Sequence, residues 1–230
     1  MSVLYLVRHG QASFGEANYD KLSALGERQA GITAGFFAGL PKPVDTVICG
    51  RMVRHRQTAD PFCRTAPREP LIREHFDEFD GLAAWVEDVG KMAKADAAVA
   101  EDLKNVLADE RAFSRVLQKA LRRFVEGYAD PKLAALWAAF TQRVREGMQS
   151  IMAGFGPGAQ VVVYTSAGPV AAAVQMALSL SDAKAMELAF QVKNASVTAF
   201  RYNEQGMVLS SFNEVGHLFA EKDNTLITYR

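Results

Sequence analysis

Cysteine is scarce in this chain: Cys49 and Cys63 are the only two among 230 residues. Two thiols make no disulfide framework, and a chain of this length needs no covalent staple, so free thiols in a reducing compartment are expected. An excess of either charge is also missing. Lysine plus arginine and aspartate plus glutamate number 26 each. That balance argues against a general binder of nucleic acid or of anionic membrane, because affinity for both rests on net or clustered positive charge. No apolar run reaches the length of a bilayer span, and the stretch Val3 to Val7 is too short for a signal-peptide core. The four histidines, His9, His55, His75 and His217, show no zinc-type spacing, so no metal and no cofactor is expected. A cytoplasmic protein without nucleic-acid or membrane partners is the expectation.

Apolar residues make up 49% of the chain, enough for a substantial core. Val3 to Val7, Thr46 to Cys49 and Gln160 to Thr165 ("QVVVYT") read as short buried strands. Ser196 to Tyr202 and Met207 to Phe212 read as two more, joined by a turn containing Asn203 and Gly206. Helical spacing runs from Ser23, a plausible N-cap, to Leu40, and again over Met52–Phe62, Leu133–Met152 and Pro169–Leu180. Strand and helix alternate at both ends, which predicts a three-layer α/β/α sandwich with a mostly parallel central sheet. From about 82 to 132 strand signal gives way to Ala, Leu, Lys and Glu at helical spacing. A single domain over 1–230 with a helical insertion there, as a lid or a dimer interface, is the expected organisation.

In open α/β sheets ligands bind beyond the carboxyl ends of the strands, where a loop enters a helix. Arg8, His9 and Gly10 occupy that place after the first strand. Gly10 would let backbone come close to a ligand, Arg8 offers a charged fork matched to phosphate oxygens, and His9 offers a nitrogen able to attack phosphorus. Alone, the triplet is weak evidence, because such a triplet more often merely ends a strand at the surface. The segment "ICGRMVRHRQTAD", Ile48 to Asp60, repeats the arrangement: a short strand runs into Arg51 and Arg54, three apart and able to share a helical face. Two arginine-bearing strand ends suit a phosphoryl dianion.

"LVRHG", "LSALGERQA" and "RHRQTA" together resemble the histidine phosphatase superfamily, also called the phosphoglycerate mutase-like family. Its pattern is Arg-His-Gly, then Leu-Thr/Ser-x-x-Gly-x-x-Gln-Ala, then Arg-Ala-x-Gln-Thr-Ala. Leu22, Ser23, Gly26, Gln29 and Ala30 match the second element, while Arg54, Gln57, Thr58 and Ala59 match the third, with His55 where alanine is usual. The resemblance implies that His9 is the nucleophile that becomes phosphohistidine and that Arg8 and Arg54 hold the phosphoryl oxygens, with Gly10 beside them. It also implies a nearby acid in a Leu-x-Glu-x-Asp/His pattern. "REHFDEFDG" places Glu78 there, with Glu74 as the second choice.

The sequence departs from the family at "VVVYTSAGPV", where a strand usually ends in Ser/Thr-His-Gly. Ser166 stands at the histidine and Ala167 at the glycine. Ser166 can still donate a hydrogen bond to phosphate but cannot carry positive charge. Gly15 stands where the mutase branch has asparagine, which favours a phosphatase over a mutase. Ser13, Phe14 and Gln11 could line the entrance. The expected function is a metal-independent phosphatase acting on a phosphorylated small molecule or phosphoprotein. The alternative is a catalytically weakened phosphate-binding or regulatory member of the fold. His217 is expected to be structural, and Trp85 and Trp137 to pack in the core.

Overall fold

The computed structural model of the chain describes residues 1–13, 20–65, 68–106, 109–127 and 130–229. In chain order the elements are β1 (Ser2–Arg8), α1 (Ala24–Ala38), β2 (Thr46–Cys49), α2 (Val53–Thr65) and β3 (Leu71–Ile72). A short 3-10 turn, Glu74–Phe76, precedes α3 (Leu82–Ala95), α4 (Ala97–Asn105), α5 (Glu110–Val125) and α6 (Pro131–Gly154). Then come β4 (Gln160–Thr165), α7 (Ala167–Leu178), α8 (Asp182–Ala189), β5 (Val197–Asn203), β6 (Gly206–Glu214) and α9 (Gly216–Phe219).

The strands form one sheet in the order β3-β2-β4-β1-β5-β6. β3, β2, β4 and β1 pair in parallel, while β5 runs antiparallel to β1 and β6 antiparallel to β5. β4 is buried at all six positions, as a central strand covered on both faces must be. Its alternate residues divide between two cores. Val161 and Val163 join Leu4, Leu6 and Ile48 under α6 and α7, against Trp137, Phe140, Met148, Val170 and Val174. Val162 and Tyr164 join Val7, Val47 and Cys49 on the other face, under Ala34 and Phe37 of α1 and Ala59 and Phe62 of α2. The three layers expected from the sequence are thus present. Full burial of each Val, Leu or Phe side chain contributes about 1.5–3 kcal/mol.

Between β3 and β4 the described residues form helices. Met92, Val99, Val116 and Ala120 build a small separate core shared by α3, α4 and α5. Trp85, Leu121 and Phe124 pack it onto the main core. Pro131, which the periodicity reads as a break, is the first residue of α6, where a missing N–H costs nothing, and Asp130 caps that helix through Lys132 N. α8 and the two-residue β3 were not legible: β3 is too short to show a period and lies exposed at the sheet edge. No helix among the described residues is long and apolar enough to cross a membrane.

The loop after β1 is clamped to the start of α1. Ser23 caps α1 by accepting from Gly26 N at 3.1 Å, and its hydroxyl donates to Gln11 Oε1 at 2.8 Å. Gln11 N donates to Oε1 of the buried Gln29 at 2.7 Å. Gly10 and Gly26 pack backbone to backbone: a Cβ on Gly10 would lie 2.4 Å from Gly26 O. Overpacking of this kind typically costs 1–3 kcal/mol. Gly10→Ala should therefore destabilise the fold by about 2 kcal/mol or more in urea unfolding; a wild-type midpoint would show that the loop yields freely.

Candidate active site

His9 follows β1 directly. Its N–H donates to Thr165 O at 2.8 Å, and Arg8 pairs with Thr165 in the parallel register, so His9 and Ser166 stand level at neighbouring strand ends. The His9 carbonyl is gripped by Ala195 N at 3.1 Å and Asn194 Nδ2 at 3.2 Å. The ring is 4% exposed, and Nδ1 lies 2.7 Å from Gly10 O. A carbonyl only accepts, so Nδ1 carries the proton and the Nε2 lone pair points away from it. Burial first, then the Arg8 and Arg54 charges, holds the His9 pKa well below the usual histidine value. The imidazole is therefore neutral near pH 7, as a nucleophile must be.

α2 supplies the second wall. Thr58 Oγ1 accepts from Gly10 N at 3.1 Å and donates to Arg54 O at 2.7 Å, tying the helix to the His9 loop. Gly10 packs closely on Gly26 and gives its amide to Thr58. Arg54 is 6% exposed and its Nη1 donates to Asp20 Oδ1 at 2.8 Å. The other Asp20 oxygen accepts from Val53 N at 2.8 Å, capping α2. Arg8 reaches the opposite flank, where its Nη1 donates to the carbonyls of Val192 and, at 3.0 Å, Tyr229. Arg51 does not share the face of Arg54. It precedes α2, is largely exposed, and pairs with Asp77 at 2.6 Å and Glu74 at 3.1 Å.

The acidic stretch divides by role. Asp77 is buried and holds the start of α2 by accepting from Arg51 N and Nε, both at 2.6 Å. Glu74 is 61% exposed in its ion pair with Arg51. Glu78 reaches the strand ends: its Oε1 accepts from Phe79 N at 2.8 Å and from Gly168 N, in the first turn of α7, at 3.1 Å. Gly168 makes this possible, because a Cβ there would lie 2.2 Å from Glu78 Oε1. Ser166 is fully buried at the N-cap of α7, yet its hydroxyl caps nothing; it lies 2.6 Å from His55 Nε2. Among the described residues no three His, Cys, Asp or Glu side chains gather as a metal site would require.

Residues 4–215 match the model of the histidine phosphatase superfamily (branch 1). The chain belongs to that superfamily. No curated protein matches it. Among solved structures, a phosphoserine phosphatase from Entamoeba histolytica is 17% identical with a TM-score of 0.63, covering 95% of this chain and all of its own. A phosphoglycerate mutase from Bacillus anthracis is 18% identical with a TM-score of 0.64, covering 96% of this chain and 97% of its own. A mycobacterial glucosyl-3-phosphoglycerate phosphatase, solved with VO3, is 17% identical with a TM-score of 0.59, covering 93% and 99%. At such identities these neighbours establish the fold.

Within this histidine phosphatase fold the structure brings His9, Arg54, Glu78 and Ser166 to the carboxyl ends of β1 and β4, with Arg8 anchored beside them. Gln11 and Ser13, expected at an entrance, are occupied internally, Ser13 by Leu22 O at 3.0 Å. Phe14 and Gly15 lie outside the described residues. His217 has a structural place, donating to Ala195 O at 3.1 Å beside Thr33. Cys49 is buried and its thiol is pushed up to about 12, chiefly by desolvation, so it is inert. Sequence reasoning missed Asp20, the hold of Asp77 on Arg51, the approach of Gly168 to Glu78 and the contact of His55 with Ser166. Gly168, next to the altered motif, and His55, where alanine is usual, each left a signal in the sequence.

Burial lowers His55 to about 3, with the Arg54 charge adding to the effect, and lowers His217 as well as His9. The unfolded chain then binds more protons than the folded one once pH falls below about 6.5. Folding stability should decrease as pH drops from 7.5 to 5, by at most about 1.4 kcal/mol per pH unit for each such histidine. Thermal melts across this range check the sign. A pH-independent midpoint would contradict neutral buried imidazoles.

Proposed function

We propose that the protein is a phosphoric monoester hydrolase working through a phosphohistidine at His9. The supporting observation is the fixed tautomer of His9: its proton is held by Gly10 O, which leaves Nε2 free, and the Arg8 and Arg54 charges are near enough to lower its pKa. In the first step Nε2 attacks phosphorus, the N–P bond forms and the P–O bond to the alcohol breaks. Glu78 gives its proton to the departing oxygen; with Oε1 tied by two amides, Oε2 is the oxygen that transfers it. In the second step water attacks phosphorus, Glu78 takes the water proton, the N–P bond breaks and phosphate leaves. Arg54, released from Asp20, and Arg8 offset the equatorial charge; charge-assisted contacts are worth about 1.5–3 kcal/mol each.

The substrate class is a phosphorylated small molecule or phosphoprotein, met in the cytoplasm, with the helices over 82–132 supplying recognition. Ser166 in place of histidine also favours the second reading, a phosphate-binding member with little turnover. A chromogenic phosphomonoester separates the two. Wild type should release phosphate and trap an acid-labile phosphoryl label, and His9→Ala should do neither. Equal rates for both proteins would remove the hydrolase, whereas orthovanadate binding without turnover would assign the binding role.

Gly168→Ala gives a separate check on Glu78. Its methyl group would displace the carboxylate, so turnover should fall about tenfold or more, as removal of a general acid does. The same methyl would lie 3.0 Å from Phe140 Cζ, so a modest fall in melting temperature should accompany the loss, without unfolding at the assay temperature. Unchanged turnover would exclude Glu78 as the proton donor at its observed position.

A further inference from the structure

Two departures from the family pattern, His55 for alanine and Ser166 for histidine, lie 111 positions apart in the chain and meet at 2.6 Å in the fold. Both side chains are 0% exposed. The His55 ring stands 5.8 Å, centroid to centroid, from that of His9. Gly50 leaves the room for it, since a Cβ there would lie 2.3 Å from His55 Nδ1. An N-cap serine ordinarily turns its oxygen to its own helix, but the Ser166 hydroxyl makes no capping bond.

The proton on the His55 ring can be placed. Nδ1 is buried without a hydrogen-bond partner among the described residues, whereas Nε2 faces Ser166 Oγ. A buried N–H with no acceptor is rarer and costlier than a buried acceptor with no donor, so the proton belongs on Nε2. His55 then donates to Ser166 Oγ. The hydroxyl hydrogen of Ser166 must point elsewhere, and the strand register sets this residue level with His9. Donation into Oγ polarises the hydroxyl and strengthens it as a donor in turn.

We propose that His55 is a positioning residue acting through Ser166: its Nε2–H fixes the serine oxygen so that the serine hydroxyl donates to the phosphoryl group transferred to and from His9. The inference rests on the phosphohistidine reading of this site. The pair does with two residues what the usual second histidine of this fold does with one, but adds no positive charge. Recognition of the transferred group therefore falls on Arg8, Arg54 and this hydroxyl.

A double-mutant cycle over His55→Ala, Ser166→Ala and the double variant tests the coupling, with kcat and KM on a chromogenic phosphomonoester and orthovanadate affinity by calorimetry as readouts. Each single variant should lower kcat about tenfold or more, the scale of one hydrogen bond to a charged group. The double variant should be no worse than Ser166→Ala alone, because His55 has nothing to act on once the hydroxyl is gone. His55→Gln, which keeps an N–H donor, should recover part of the loss, and His55→Ala/Ser166→His should recover most of it. Ser166→Ala removes one oxygen and is expected to fold, so a core defect in His55→Ala leaves the test intact. Wild-type kcat in Ser166→Ala, additive losses, or no recovery by either rescue variant would overturn the proposal. Lack of His9-dependent turnover in wild type would remove the hydrolase reading alone. The same cycle on orthovanadate affinity would then decide the pair, and wild type that does not bind orthovanadate would overturn both.

Discussion

Parallel pairing of β1 with β4 is the constraint on which the site depends. It ends both strands at one level and continues one step further, through the His9 N–H to Thr165 O bond, into the loops that leave the sheet. His9 and Ser166 are adjacent for this reason and no other, since 157 positions separate them in the chain. Everything else at the site is arranged around that pair of strand ends. α2 enters from one sheet face with Arg54 and His55, and the turn after β3 brings Glu78 to the first turn of α7. A one-residue slip of this register would send His9 to the opposite face and dismantle the constellation at once.

The residues that carry the resemblance divide into candidate reacting groups and those that hold them. Gly26, Gln29 and Thr58 contact no candidate reacting atom. They fix the His9 loop through a backbone-to-backbone approach, a buried amide and a hydroxyl that bridges to α2. Gln57 does the same for the segment before α1, accepting from Leu22 N at 2.8 Å. Preorganisation of this kind holds a neutral imidazole close to the Arg8 and Arg54 charges. The tolerance is narrow. The closest Cβ distances found at glycine, near 2 Å, fall at Gly26, Gly168 and Gly81, and the first two lie in this frame.

Much of this was legible in the sequence. "QVVVYT" and "TVIC" announce buried parallel strands because both faces of such strands must be apolar, and Ser23 announces the start of α1 by its capping chemistry. The motif prefers Glu78 to Glu74, and the fold places the two differently, Glu74 in an exposed ion pair and Glu78 at a helix N-terminus. Gly10 was singled out for close backbone approach, and it makes such an approach to Gly26. The relation between His55 and Ser166 could not be read. A contact between residues this far apart is a property of topology, and each substitution viewed alone looks like a defect. Asp20 was hidden for a similar reason, since its two oxygens serve residues on α2.

The anchoring of Arg8 ties distant parts of the chain to one segment. Its guanidinium is held by the carbonyl of Tyr229, 221 positions away, and the segment before Tyr229 also holds Gln29, through Leu226 O, and Asn194, through Thr228 O. Local opening of this one segment would release Arg8, Gln29 and Asn194 together, and with Asn194 the grip on the His9 carbonyl. Residues that no motif marks therefore steady the His9 loop from the far side of the fold.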